Sequence, residues 1–148
     1  MAGTDLGDLY AAAKADLNSI STPLFEMAVS LVDKRGTFLP FGAILDAAGE
    51  TQLHAATGEH EITNSVEVLP RLHKGLRASL QPDSRAVAVC EWVKITPPGS
   101  KQTDAVKVLV EHSNGLVMAF YLPMRKKLLG RWETGGLIGN PAKPEVRV

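Results

Sequence analysis

The sequence predicts an α+β domain in which a five-stranded antiparallel sheet carries its helices on one face. Between residues 85 and 123, three runs rich in Val, Ile and aromatic residues are joined by turn-forming residues, which is typical of an antiparallel meander. Residues 5–35 and 64–80 carry apolar side chains at helical spacing, with two shorter strand-like runs between them. The predicted order is therefore α(α)-β-β-α-β-β-β, one layer of helices on one sheet.

The first helical region starts at a cap and contains a break. Thr4 or Asp5 can accept hydrogen bonds from the exposed amides of the first turn, and apolar residues then recur every three or four positions as far as Ile20. The Ser-Thr-Pro sequence at 21–23 predicts that one helix ends and a second begins. A single kinked helix is the alternative. Gly36, after two basic residues, marks the C-terminal end.

Two strands and a helix come next. Residues 38–46 form a predicted strand in which Pro40 and Gly42 indicate an edge, a bulge or a bend, because proline donates no ladder hydrogen bond. Residues 51–57 form a weaker strand, and residues 64–80 form a helix with its apolar residues on one side.

The meander is the most clearly patterned part of the chain. Residues 85–95 are apolar on both faces, which predicts a central strand that is covered on both sides. Residues 104–112 alternate more cleanly, and the Asn-Gly pair at 114–115 is a strong hairpin signal because both residues tolerate positive φ. The last strand is predicted over 116–122, ending at Pro123.

Composition indicates one ordinary globular domain. The chain has 148 residues, of which 45% are hydrophobic and 22% charged. We expect the domain to cover residues 1–134 and a Gly- and Pro-rich, poorly ordered tail to follow at 135–148. The charges cancel overall, which disfavours nucleic acid and membrane as partners. Residues 1–80 carry 6 basic and 10 acidic residues and residues 81–148 carry 10 and 6, or −4 against +4, a split that can orient self-association.

The same properties predict a cytoplasmic protein. Cys90 is the single cysteine, so no intramolecular disulfide can form and a reducing compartment is indicated. The N-terminal residues contain early acidic side chains and no apolar core typical of a signal peptide. No run approaches the ~18–20 apolar residues that cross a bilayer.

Two resemblances follow from these patterns. The element order resembles that of roadblock, longin and profilin-like domains, and cone-shaped folds of the nuclear-transport-factor kind are a second match. The segments FLPFGAILDAAGE, RAVAVCEWVKI, TDAVKVLVEHSNG and YLP resemble a group of small uncharacterised bacterial proteins over roughly residues 25–125. That resemblance implies a single bacterial domain and supplies no catalytic residue.

No constellation of residues predicts catalysis, a metal or a cofactor. His54 and His60 with Glu59 and Glu61 form the most metal-like cluster, but their spacing fits no ligand motif and a solvated loop is expected. Dinucleotide, P-loop, hydrolase, zinc-protease and CxxC motifs are absent.

The meander also offers no acid–base set. Asp104 and His112 would lie ~27 Å apart along one strand, Glu111 would point to the opposite face, and His112 is predicted to be exposed. Cys90 is predicted to be structural, because no neighbouring base would lower its pKa.

Two candidate surfaces remain. A ligand pocket between sheet and helices would be lined by Phe41, His54, Trp92 and Tyr121. An anion or partner contact would use the cluster Arg125, Lys126, Lys127 and Arg131.

The predicted function is a non-enzymatic protein-interaction module, which binds a protein partner or itself as a homodimer. The alternative is a small-molecule-binding domain or a small enzyme that uses the pocket between sheet and helices.

Overall fold

The computed structural model describes residues 5–55 and 65–147. Its elements are α1 (Leu6–Arg35), β1 (Phe41–Leu45), β2 (Thr51–Ala55), α2 (Ser65–Ser79), β3 (Ala86–Ile95), β4 (Thr103–His112), β5 (Val117–Lys126), a 3₁₀ turn (Leu128–Gly130), β6 (Trp132–Thr134) and β7 (Ile138–Pro141).

One antiparallel sheet contains every described strand. Its order is β2-β1-β3-β4-β5-β6, and β7 also pairs with β5. β6 pairs with residues 124–126 of β5 and β7 pairs with residues 118–121, so the two short strands share one edge. The α+β class and the antiparallel sheet are confirmed, but the described sheet has seven strands rather than five. The two extra strands have three and four residues, too short for an alternating pattern to reveal them.

The two helices pack on opposite faces of the sheet, so the prediction of helices on one face is wrong. On what we call the first face, α1 packs through residues such as Leu17 and Leu24 against a core that includes Ala88 and Val108. On the second face, Leu72 of α2 packs in a smaller core with other aliphatic side chains: Ile44, Leu76, Val87, Val89 and Val146. All five residues of β1 are buried, and a strand that is buried on both sides needs a layer on each.

α1 is one continuous helix that passes through Pro23. Asp5 caps it by accepting the amide of Asp8 at 2.8 Å, as predicted. Pro23 has no amide to donate to the carbonyl of Ser19, four residues earlier. That carbonyl instead accepts the hydroxyl of Thr51, on β2, at 2.9 Å. The predicted break is absent because a side chain from the sheet satisfies the carbonyl that proline leaves free.

Gly42 allows β1 to lie close to both α2 and β3. A Cβ atom at this position would lie 2.6 Å from the carbonyl oxygen of Ala88 and 2.9 Å from a methyl group of Leu76. Any larger residue would push these layers apart. The glycine therefore marks a tight contact inside a regular strand, and Pro40 lies just before the strand.

β5 continues through Pro123, where the sequence predicts its end. The carbonyl of Pro123 accepts the amide of Gly135 at 2.8 Å, so this side of the residue faces the outer edge. The amide and carbonyl of one strand residue point the same way. The N–H group that Pro123 lacks would therefore point away from β4, so the hydrogen bonds between β4 and β5 are intact.

The segment 135–148, predicted to be a poorly ordered tail, is built into the fold as far as residue 147. After β7, residues 142–147 form what we call the C-terminal strap. The amide of Ala142 donates to the carbonyl of Val117 at 3.0 Å. The Nε of Arg77, on α2, donates to the carbonyl of Val146 at 2.6 Å, and the Val146 side chain is 1% exposed.

The Glu111 side chain binds the strap by accepting hydrogen bonds from three of the strap's backbone amides. One oxygen of this buried carboxylate accepts the amides of Glu145 and Val146 at 2.8 and 2.7 Å, and the other accepts the amide of Arg147 at 2.9 Å. Three amides around one carboxylate satisfy a charge that would otherwise be costly to bury. The strap therefore completes the second face beside α2.

Candidate functional site

The four residues of the predicted ligand pocket lie on both faces of the sheet. Phe41 and Trp92 belong to the first face, where both pack with the core beneath α1. His54 is opposite Gly42 in the β1–β2 register and Tyr121 is opposite Lys107, which places both on the second face. The structure does not bring these four side chains together. Residue type suggested the set, whereas strand parity separates it.

An aromatic row instead runs across one end of the first face. The rings of Phe38 and Phe41 have centroids 5.6 Å apart, those of Phe38 and Trp92 are 6.1 Å apart, and those of Trp92 and Trp132 are 5.7 Å apart. These spacings suit edge and tilted contacts between rings. The row connects β1 and β3 to Trp132, the first residue of β6, and so fixes where β6 lies.

The predicted anion or partner contact forms one structural unit, which we call the basic hairpin: the end of β5, the 3₁₀ turn and β6, residues 124–134. The register pairs Arg125 with Glu133 and Lys126 with Trp132. The amide of Lys127 donates to the carbonyl of Arg131 at 2.6 Å, which closes the turn. The four basic residues therefore do share one surface element.

The tip of the basic hairpin presents two leucines to solvent. Leu128 is 94% exposed and Leu129 is 98% exposed. Leu129 has φ of 76°, a left-handed conformation that a bulky residue rarely adopts. Exposed leucines are individually unremarkable, but two adjacent ones on a hydrogen-bonded turn form an apolar knob that the fold itself does not use.

The charge around this knob is strongly positive. Lys127 pairs with Glu133 at 2.7 Å. Arg125, Lys126 and Arg131 are exposed and form no ion pair with any residue that the structure describes. The hairpin therefore offers free cations next to an apolar tip.

A second open surface lies on α1. A shallow groove of about 480 Å³ is lined by five residues of the helix, which we call the α1 groove: Phe25, Glu26, Val29, Ser30 and Asp33. Phe25 and Val29 are half-buried and pack against the core of the first face, as Trp132 does. Glu26 and Asp33 are exposed, and neither forms an ion pair within the described ranges. The groove is thus apolar at its floor and acidic at its rim.

A polar cluster occupies the second face. Glu91 and Lys107 are cross-strand partners on β3 and β4, with the ammonium 3.9 Å from the carboxylate. Burial raises the pKa of Glu91, Lys107 opposes that shift, and nearby Glu145 adds to it. The Nε2 of His73, on α2, is buried, has no hydrogen-bond partner among the residues that the structure describes, and lies 3.8 Å from Glu145. The cluster joins the sheet, α2 and the strap.

A cavity of about 270 Å³ lies at the base of the basic hairpin. It is lined by Thr103, Pro123, Met124, Arg125, Glu133, Thr134 and Gly135. Arg125 and Glu133 supply one cation and one carboxylate from adjacent strands. The cavity is at the sheet edge, away from the predicted pocket between sheet and helices.

The residues considered for acid–base chemistry have structural partners. His112 is 9% exposed, so the prediction that it is exposed is wrong. Its Nδ1 accepts the amide of Asn114 at 3.1 Å, which assigns the proton to Nε2, and Nε2 then donates to Asp16 at 2.8 Å. Both ring nitrogens are thereby engaged in joining α1 to the β4–β5 hairpin. Asp104 pairs with Lys94 at 3.8 Å.

Cys90 and the histidine cluster offer no further chemistry in the described regions. Burial raises the pKa of the Cys90 thiol well above its ordinary value, and Glu91 adds to the shift, so the thiol stays protonated. His54 lies on β2, whereas His60, Glu59 and Glu61 lie outside the described residues. Within residues 5–55 and 65–147, no group of three His, Cys, Asp or Glu side chains is placed to hold a metal ion.

Two features were beyond the sequence patterns. The basic cluster was visible in the sequence, but residue type alone does not show that Leu128 and Leu129 are almost fully exposed. Alternation placed Glu111 on the face opposite His112, but it gives no hint that a later segment crosses that face.

Comparison of this chain with protein-family models, with curated proteins and with solved structures finds no match. Neither helix in the described ranges has the length and apolar content that crossing a bilayer requires.

Proposed function

We propose that this protein is a protein-interaction module that docks through its basic hairpin. One observation carries the proposal: Leu128 and Leu129 are 94% and 98% exposed at the tip of a turn closed by specific backbone hydrogen bonds. Burying a leucine fully stabilises a structure by about 1.5–3 kcal/mol. Because folding leaves these two side chains exposed, burying them against a partner would contribute to the binding free energy.

The surroundings of the tip favour a protein partner. The ring of Trp132 packs against that of Trp92, with centroids 5.7 Å apart, and anchors the hairpin to the core. The two leucines therefore extend from an ordered base. Binding that starts from an ordered element loses less conformational entropy. Lys126 and Arg131 then flank the apolar tip as free cations, the arrangement of an apolar centre and a polar rim that protein interfaces use.

The proposal includes a cytoplasmic location and a place among small bacterial domains. The single buried thiol of Cys90 supports the first, since it needs no oxidising compartment. The motif resemblance over roughly residues 25–125 supports the second. The likeness to roadblock and profilin-like domains rests on element order alone, and fold analogy carries no function.

Site-specific photocrosslinking in the source cell tests the function. A photoreactive amino acid at position 128 is expected to give a discrete protein adduct, which mass spectrometry then identifies. The matched control places the same group at Val66, an apolar residue that is 83% exposed on α2. Position 128 giving no protein adduct beyond that control, or adducts with lipid or nucleic acid only, would refute the proposal.

A further inference from the structure

We infer that the partner of the basic hairpin is a second copy of this chain, whose α1 groove receives Leu128 and Leu129. This inference rests on the proposed function and gives it a partner. Its starting point is that one molecule carries both halves of a contact: an apolar knob with a basic rim, and an apolar groove with an acidic rim.

The two surfaces are compatible in size. The knob is two adjacent leucine side chains at the end of a narrow hairpin. The groove measures about 480 Å³ and has Phe25 and Val29 at its floor. Cavities of this volume hold drug-sized ligands, which are larger than two leucine side chains. The groove is therefore large enough to take the tip.

The two surfaces also match in charge. Lys126 and Arg131 form no ion pair among the described residues, and the same is true of Glu26 and Asp33. Seating the tip in the groove would place free cations beside free carboxylates at the rim of the contact. Charges at such rims steer association and fix orientation more than they add affinity.

The placement of the two surfaces allows a closed dimer. Trp132 at the base of the hairpin packs against the same first-face core as Phe25 and Val29 of the groove. The base of the hairpin and the floor of the groove thus adjoin the same first-face core. A two-fold axis can then place each hairpin opposite the groove of the other copy, so that two equivalent contacts form and the assembly closes.

Charge reversal on the purified full-length chain tests the inference. The hairpin variant is Lys126→Glu with Arg131→Glu, and the groove variant is Glu26→Lys with Asp33→Lys. All four side chains are exposed, so both variants are expected to fold. Analytical ultracentrifugation over a dilution series up to about 100 µM measures the dimer dissociation constant, since dimer population depends on protomer concentration. Each variant alone is expected to weaken dimerisation by at least about tenfold.

Mixing the two variants gives the sharpest result. In the mixed pair, the reversed hairpin meets the reversed groove and the unaltered hairpin meets the unaltered groove. Both contacts are then complementary, so the mixture is expected to recover wild-type association. A general effect of altered net charge also predicts recovery in this mixture, because the two variants have opposite net charges, but it further predicts that the control variant below, with the same change of −4 as the hairpin variant, weakens dimerisation equally. The control pair, Lys74→Glu with Lys143→Glu, changes two exposed lysines of α2 and the strap and is expected to leave the dissociation constant unchanged.

The outcomes separate this inference from the proposed function. A wild-type chain that stays monomeric, or a dimer that neither variant weakens, overturns the inference. Crosslinking from position 128 to a different protein also overturns it while leaving the interaction function intact. Binding of the monomer to anionic phospholipid vesicles through the hairpin, with no protein adduct in cells, overturns both.

Discussion

Replacing Glu111 by glutamine should destabilise the fold and release the C-terminal strap. The carboxylate is 2% exposed and accepts three strap amides at 2.7–2.9 Å. Glutamine retains only one acceptor oxygen. Its NH2 group is a donor, and in place of the second carboxylate oxygen it would face a strap N–H group that is also a donor. It also loses the negative charge. A hydrogen bond to a charged group contributes about 1.5–3 kcal/mol, and such contributions are not additive within one network.

We therefore expect Glu111→Gln to lower the free energy of unfolding by about 2–4 kcal/mol. Urea denaturation measures this, and amide hydrogen exchange at Glu145, Val146 and Arg147 reports on the strap directly. In the wild-type protein these three amides should be protected, and in the variant their protection should fall further than that of β4 amides.

Truncation after Pro141 is the matched comparison. Removing the strap exposes the Glu111 carboxylate to water. Glu111→Gln instead leaves a carboxamide buried against donors that it cannot fully satisfy, so the two changes differ in cost. Glu111→Gln should add little in the truncated chain, because the amides that it affects are gone. A change below about 0.5 kcal/mol in the full-length chain, the range of ordinary surface substitutions, would refute the role assigned to Glu111.

Two further predictions concern α1 and the second face. Thr51→Val should cost about 1 kcal/mol by removing the hydroxyl that satisfies the Ser19 carbonyl. In a Pro23→Ala background the restored amide can take over, so the cost should shrink; an equal cost in both backgrounds, measured by urea denaturation, would contradict this account. Burial raises the folded-state pKa of Glu91 above its ordinary 4.5, so folding is coupled to proton binding. The contribution of Glu91 to stability therefore falls as pH rises from the unfolded-state pKa to the folded-state pKa. The stability of Glu91→Gln relative to wild type should therefore increase as pH rises above 4.5, and a difference that is flat or decreasing with pH would show that the pKa is not raised.

Local patterns predicted the elements of this fold well. The cap at Asp5, the helix end at Gly36 and the Asn-Gly turn depend on a few neighbouring residues, so the sequence alone specifies them. The apolar character of 85–95 on both faces also predicted β3 as a central strand, and β3 lies between β1 and β4.

The candidate site was only partly predictable. The basic residues of 125–131 could be identified, because charge is a property of residue type. Whether Leu128 and Leu129 are buried or exposed depends on what packs on them, which no local pattern contains. The aromatic and histidine residues chosen for a pocket failed as a set for the same reason, since Phe41 and Tyr121 lie on opposite faces and on strands separated by two others.

The sequence by itself determined the α+β class, the helices and the main strands, because periodicity and turn chemistry act over a few residues. Only the tertiary structure decided which face each helix covers, why α1 continues through Pro23, and that the C-terminal segment crosses the sheet to Glu111. Each of these depends on a contact between residues distant in the chain: Thr51 with Ser19, and Glu111 with Val146. Such contacts form only when the whole chain has folded. The exposure of the basic hairpin's tip is likewise a property of the complete fold and not of the local sequence.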